Sequence, residues 1–254
     1  MKTYVFANRK GGVGKSTTAA AVFNWLERSG KRVLLVDLDS QCNVSYAFGV
    51  DVLANPDIVT IADVFSGKAY MKDAMQKTNT VWGQIVPASE SLVDYDNGSE
   101  PFKIDLKTAL SSVSHKFDYC IIDAPPSLGR LTVAALLASN YLVVPAFADM
   151  FSVQGLNNMV NIVKTVQQHN DIKVAGILLT RNNERLVLTK AVTEMLEEIA
   201  GEMKSKVFNT TIREGVTVRE AMAQQVGLFE YDSMLKSNVA KDYDSFVKEL
   251  LEVN

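Results

Sequence analysis

The chain has 254 residues, of which 47% are hydrophobic and 22% charged, with a formal charge of −3 at pH 7. This length buries one sizeable core and is ordinary for a doubly wound α/β fold, so residues 1–254 are read as a single domain. The balance argues against a strongly basic nucleic-acid protein while leaving room for a local basic patch, and no stretch approaches the ~20 uncharged apolar residues of a membrane span.

Met1-Lys2-Thr3 leads directly into a strand-like run, without the charged and then apolar order of a secretory signal, so a cytoplasmic location is expected. Strands are predicted over 3–7, 32–37, 81–86, 119–123, 141–145, 174–179 and 206–210. Helices are predicted over 15–28, 102–114, 132–138, 152–168, 187–200, 217–224 and 239–251. The alternation is the sequence form of a doubly wound, mostly parallel sheet with helices on both faces. Continuous apolar runs such as Val33-Leu34-Leu35-Val36 fit strands buried on both sides, with a ligand site at their carboxyl ends. Residues 49–101 are the least regular, carrying turn signals at Asn55-Pro56-Asp57, Ser66-Gly67 and Asp94-Tyr95-Asp96-Asn97-Gly98. Within them, Thr60-Ile61-Ala62-Asp63 has the pattern of a helix cap. Cys42 and Cys120 lack metal-ligand spacing and read as packing residues.

Between the first strand and the first helix lies Lys10-Gly11-Gly12-Val13-Gly14-Lys15-Ser16-Thr17, the context of a phosphate-binding loop. Glycines let backbone N–H groups approach phosphate oxygens, the helix start adds partial positive charge, Lys15 reaches the β- and γ-phosphates, and Ser16 holds Mg²⁺. Counted as GxxxxGKS, the leading position reads Arg9 rather than glycine, with Lys10 beside it.

That loop resembles the KGGVGK[ST]T signature of the deviant Walker ATPases, the ParA/MinD group, and small ParA partition ATPases in particular. The resemblance extends to 30–41, which is similar to the group's second signature, and to 119–127, which is similar to its Walker B and switch segment. Leu178-Leu179-Thr180 and Val216-Thr217-Val218-Arg219-Glu220-Ala221 are similar to later runs of small ParA proteins.

The resemblance implies a P-loop ATPase using ATP and Mg²⁺, slow alone and stimulated by a partner. Lys10 would cross a homodimer interface to the partner's nucleotide, Gly11 would leave room for it, and Asp149 would lie at the same interface. Asp39 would orient the attacking water, making Lys10, Lys15 and Asp39 the catalytic set, while Asp37 and Asp123 lie near Mg²⁺ with Ser16. Thr180 and Arg181 would approach the base. So would Arg213, although Ile212-Arg213-Glu214 lacks the proline of the group's Ile-Pro-Arg.

A ParA-like reading further implies an ATP-bound homodimer on the nucleoid, contacting double-stranded DNA without sequence preference. Arg185 would make those contacts, with Arg219 two residues beyond Thr217, which stands where the group has a second arginine, and a ParB-like centromere-binding protein or a cargo adaptor would complete the system. A positioning ATPase for a non-DNA cargo and a MinD-like membrane-associated ATPase remain alternatives. The acidic balance of 241–254 does not resemble a basic membrane-targeting helix, so no membrane partner is expected. The cysteines do not suit the cluster of the nitrogenase iron protein, nor do Tyr231 and Tyr243 make the tyrosine cluster of the related kinases. No helix-turn-helix extension for operator binding is expected.

Overall fold

The computed structural model describes residues 1–80, 82–181 and 187–252. Its strands are β1 (Lys2–Phe6), β2 (Val33–Asp37), β3 (Gln76–Lys77), β4 (Gln84–Val86), β5 (Tyr119–Asp123), β6 (Tyr141–Ala146) and β7 (Lys173–Leu179). They form one sheet in the order β3-β4-β2-β5-β1-β6-β7, parallel except for the β3–β4 edge. From β1 the chain builds outward to one side through β2 to β4, and later to the other through β6 and β7. The crevice beyond the carboxyl end of β1 is therefore a topological switch point, where open α/β sheets bind ligands.

The helices are α1 (Lys15–Arg28), α2 (Asn43–Ala47), α3 (Ile61–Phe65), α4 (Met71–Ala74), α5 (Leu92–Asn97), α6 (Leu106–Ser111), α7 (Arg130–Leu137), α8 (Met150–Val166), α9 (Val187–Glu202), α10 (Thr217–Ala223), α11 (Leu228–Tyr231) and α12 (Asn238–Glu252). Successive side chains of a strand point to opposite faces, so each central strand feeds two cores. Val5, Leu34, Val36, Cys120 and Ile122 pack with α3 to α9. Tyr4, Phe6, Leu35 and Ile121 pack with α1, α10, α11 and α12. Every residue of β2 is buried, as its unbroken apolar run requires.

Four expectations change. The stretch 206–210 does not join the sheet and makes only an isolated parallel bridge between Ile177 and Val207. The reason is that Glu249 on α12 accepts the Asn209 and Thr210 N–H groups at 2.9 Å, taking donors that a strand ladder would use. The strand expected over 81–86 shrinks to β4, since the Trp82 and Gly83 N–H groups donate to the Glu27 carboxylate on α1; Val81 lies outside the described residues. The helix expected over 102–114 is α6 alone, started by Asp105, which accepts the Thr108 N–H at 2.8 Å. The turn signal at 94–98 is the end of α5, closed by Gly98 at φ 88°.

The cap pattern at Thr60 does open α3, with Asp63 accepting the Thr60 N–H at 2.9 Å. Cys42 and Cys120 are buried free thiols, and burial pushes Cys42 up to about 12.

Candidate active site

The chain leaves β1 and enters α1 through a loop whose shape is set locally. Gly12 and Gly14 take φ of 75° and 86°, a region that glycine enters without steric cost. Gly14 is the N-cap of α1 and has no side chain to satisfy the first-turn N–H groups, which are left for an anion. Gly11 is different. Its φ lies outside the left-handed region and a Cβ added there meets nothing within 4 Å, so the chain's own fold does not demand glycine at this position.

Two side chains hold the loop in place. The Asn8 amide donates to the Pro145 carbonyl at 2.7 Å and its oxygen accepts the Lys10 N–H at 3.1 Å. Thr180, just past β7, donates its hydroxyl to the Val13 carbonyl at 2.8 Å.

Under the loop, β2 and β5 end side by side on Asp37 and Asp123, both fully buried and in register. Asp37 is engaged on both oxygens: Oδ1 accepts the Asp39 N–H at 3.0 Å, and Oδ2 accepts the Ser45 N–H at 2.9 Å and the Ser45 hydroxyl at 2.7 Å. Burial raises its pKa to about 6. Asp123 has neither oxygen hydrogen-bonded among the described residues. Burial first, and then the Asp37 charge, push its pKa well above the usual carboxylate range; the nearby Ser16 hydroxyl and Lys15 ammonium offset only part of this.

Lys15 is only 6% exposed, with Nζ 3.4 Å from the Lys10 carbonyl oxygen. Burial lowers its pKa, against the opposing pull of Asp123 and Asp39. An unpartnered buried carboxylate is costly to keep, and beside Ser16 it fits a hard cation that takes oxygen ligands, as Mg²⁺ does. Asp39 reaches the cleft wall, where its Oδ1 accepts the Gln41 N–H at 3.1 Å.

The cleft, about 440 Å³, is lined by residues 11–17 together with Asp39, Pro126, Thr180, Arg181, Arg213 and Arg219 among others. Arg181 lies with its guanidinium 5.2 Å from the Phe147 ring centre. Arg213 is bonded to Asp242 of α12 through Nε at 2.9 Å and Nη2 at 2.6 Å, which ties α12 to the cleft. Arg219 is exposed on the cleft rim, whereas Arg185 lies outside the described residues.

Lys10 turns back onto Asp149, the N-cap of α8, with its ammonium 5.0 Å from the Phe147 ring centre. Burial pushes Asp149 up, but the Lys10 ammonium and the Ser152 N–H hold its pKa below the usual value. Beside this pair Phe151 is 74% and Met150 45% exposed.

The structure thus brings residues 11–17, Asp39, Thr180, Arg181 and Arg213 to one cleft, with Asp37 and Asp123 buried at the strand ends beneath its loop, whereas Lys10 is turned away onto Asp149. Asn8 and Ser45 are not singled out by the sequence, whereas Pro126 belongs to the 119–127 run. Asn8 was within reach, since it directly precedes the loop; Ser45 meets Asp37 only through the turn into α2.

Comparison with known proteins agrees with this geometry. A family model described as an AAA domain matches residues 1–176. The chain is 33% identical over 255 residues to the sporulation initiation inhibitor protein Soj of Bacillus subtilis, covering 98% of each. It is also 33% identical over 259 residues to the chromosome-partitioning ATPase Soj of Treponema pallidum, covering 98% of this chain and 97% of that protein. Among solved structures, an ATP complex of a McdA variant from Cyanothece superposes with a TM-score of 0.85 at 25% identity, over 100% of this chain and 97% of that one.

Proposed function

This chain belongs to the ParA/MinD family of P-loop ATPases, and from that premise we propose that it is a single-domain partition switch. ATP closes two copies face to face, the dimer binds double-stranded DNA without sequence preference, and a ParB-like protein or cargo adaptor stimulates hydrolysis as a plasmid, chromosome or other cargo is segregated or positioned. The observation that carries the nucleotide chemistry is Asp123, buried near Ser16 with neither oxygen hydrogen-bonded among the described residues, beneath a helix whose N-cap is a glycine. A cation at that point and an anion at the helix start satisfy both deficits at once.

Each residue then has a role. N–H groups of 11–16 and the Lys15 ammonium hold the β- and γ-phosphates, and Thr180, Arg181 and Arg213 border the base. Ser16 and Asp123 would hold Mg²⁺, with Asp37 fixing Asp39 behind them; bound there, the cation would supply charge neutralisation to the phosphates. Asp39, held by its own N–H to Asp37 at 3.0 Å, orients the attacking water.

Dimerisation is supported by Gly11, whose glycine identity nothing inside the chain requires, and by the exposed Met150 and Phe151 next to Lys10. On closure Lys10 exchanges Asp149 for the partner's nucleotide. The apolar face of α12, including Tyr243, Phe246, Val247 and Leu250, is already buried in the core, so this helix does not offer that face to a membrane, in keeping with the proposed nucleoid-bound switch.

Light scattering on Asp39→Ala, which is expected to trap bound ATP, tests the switch. A dimer with Mg-ATP and a monomer with ADP is the expected result; a monomer with ATP would sink the face-to-face reading.

A further inference from the structure

We propose that Asp96, on α5, is a positioning residue for ATP hydrolysis: its carboxylate holds the segment after Asp123 in register with the nucleotide cleft. Asp96 Oδ2 accepts the Ser127 hydroxyl at 2.8 Å, and Oδ1 accepts the Leu131 N–H at 3.0 Å. Leu131 lies in the first turn of α7, whose N-cap is Gly129 and offers no side chain. Asp96 supplies from another helix the carboxylate that this terminus lacks, satisfying an orphan N–H and favouring the positive end of the helix dipole.

Gly129 is shaped to admit it. A Cβ at Gly129 would lie 2.3 Å from Asp96 Oδ1, while its φ of −78° is one that any residue adopts. Close approach of the carboxylate, not backbone conformation, is what demands glycine there. Ser127 is fixed from two more directions: its hydroxyl accepts the Gly129 N–H at 3.3 Å, and its carbonyl accepts the Thr132 hydroxyl at 2.8 Å.

The clamp borders the chemistry on two sides without touching nucleotide. Pro126, next to Ser127, lines the nucleotide cleft. Asp96 also shares a second hollow with Pro125 and with Ser40, the residue after Asp39. It thus stands between the loop bearing Asp39 and the segment descending from Asp123. The phosphate cradle comes from a separate loop, 10–17, so loosening the clamp lowers turnover and leaves affinity in place. A displacement of ~1 Å at a reacting centre can cost ~10²-fold in rate.

The test is phosphate release by the full chain over a range of Mg-ATP concentrations, with the folded fraction measured on each sample. Asp96→Ala is expected to lower kcat about tenfold or more with KM within about threefold of wild type. Asp96→Asn, whose amide oxygen still accepts the Leu131 N–H and whose NH₂ can donate to the Ser127 oxygen, is expected to restore kcat to within about threefold. Gly129→Ala displaces the carboxylate without removing it and should reproduce the kcat loss, and the two losses should not add in Gly129→Ala/Asp96→Ala.

An unchanged kcat in Asp96→Ala, a loss carried by KM, or a loss that tracks the folded fraction overturns the proposal. If Asp96→Ala does not fold, Gly129→Ala carries the same comparison; if neither folds, Asp96 is a stability residue only and the proposal fails. The inference rests on the ATPase reading, and wild-type turnover in the same series separates the two, since a wild type without turnover overturns both.

Discussion

Lys15 and Asp39 share one cleft but differ in what they hold in place. Lys15 is almost fully buried at the start of α1, and in the proposed mechanism it is the positive side chain that holds the phosphates. Lys15→Ala is expected to abolish nucleotide binding, as read by titration with a fluorescent ATP analogue. Asp39 lies farther along the cleft wall, so Asp39→Ala should bind ATP normally and lose turnover by ~10²-fold or more, the usual scale for a group that positions the attacking nucleophile; ordinary phosphate release by that variant would remove Asp39 from the catalytic set. Thr180 is a different kind of residue. Its hydroxyl is buried between the carbonyls of Val13 and Ala146, at 2.8 and 3.3 Å, and it braces the loop from the end of β7. Thr180→Val leaves those acceptors short of a donor and should cost about 1–3 kcal/mol, seen as a lower urea midpoint with an unchanged slope.

At the scale of elements, the loop before α1 and the N-terminus of α8 meet through Lys10 and Asp149. Their side chains are 26% and 35% exposed, and pairs in such solvent contact are worth about 0–1 kcal/mol. A contact that weak can be given up when a second copy arrives, as the switch requires. Gly11 stands beside it with open space. Gly11→Val is therefore expected to leave monomer ATP affinity within about threefold, because no neighbour is displaced, while preventing the ATP-dependent dimer seen by light scattering; a Gly11→Val dimer would remove this position from the interface. Elements with strong local signals were legible in sequence: α1 was read as 15–28 and β5 as 119–123, both as observed. The misread ones were decided by distant side chains. Glu249 and Glu27 withdraw backbone donors from two expected strands, and neither residue is near those strands in sequence.

For the whole molecule the question is how a chain with a net charge of −3 would hold DNA. Of the two arginines proposed to contact DNA, Arg219 is exposed at the rim of the nucleotide cleft and Arg185 lies outside the described residues. In the proposed ATP dimer each arginine would be present twice, so that weak contacts on each copy would suffice. Gel-shift titrations on unrelated duplexes should show binding with ATP and none with ADP, with affinity falling ~10²-fold between about 50 and 200 mM salt if about four phosphates are contacted. Arg185→Ala and Arg219→Ala should each flatten that salt dependence. No binding with ATP at low salt would turn the reading to a positioning ATPase that grips its cargo through another surface.

The phosphate loop, the strand-end acids and the family are legible without a fold, because they depend on residue types within short windows: glycines where φ is positive, a lysine and a serine at a helix start, apolar runs ending in Asp37 and Asp123. Tertiary structure alone decided what those acids do. Asp37 and Asp123 end their strands alike, yet Asp37 is satisfied by Ser45 from the next turn while neither Asp123 oxygen is hydrogen-bonded among the described residues, and no spacing rule separates the two. The same holds for Asp96 and Gly129, which are 33 positions apart in the chain and meet only because α5 and α7 pack on one face of the sheet. Local sequence sets backbone conformation and residue chemistry; which buried charge is answered, and by what, is set by neighbours that only the folded chain brings within hydrogen-bonding distance.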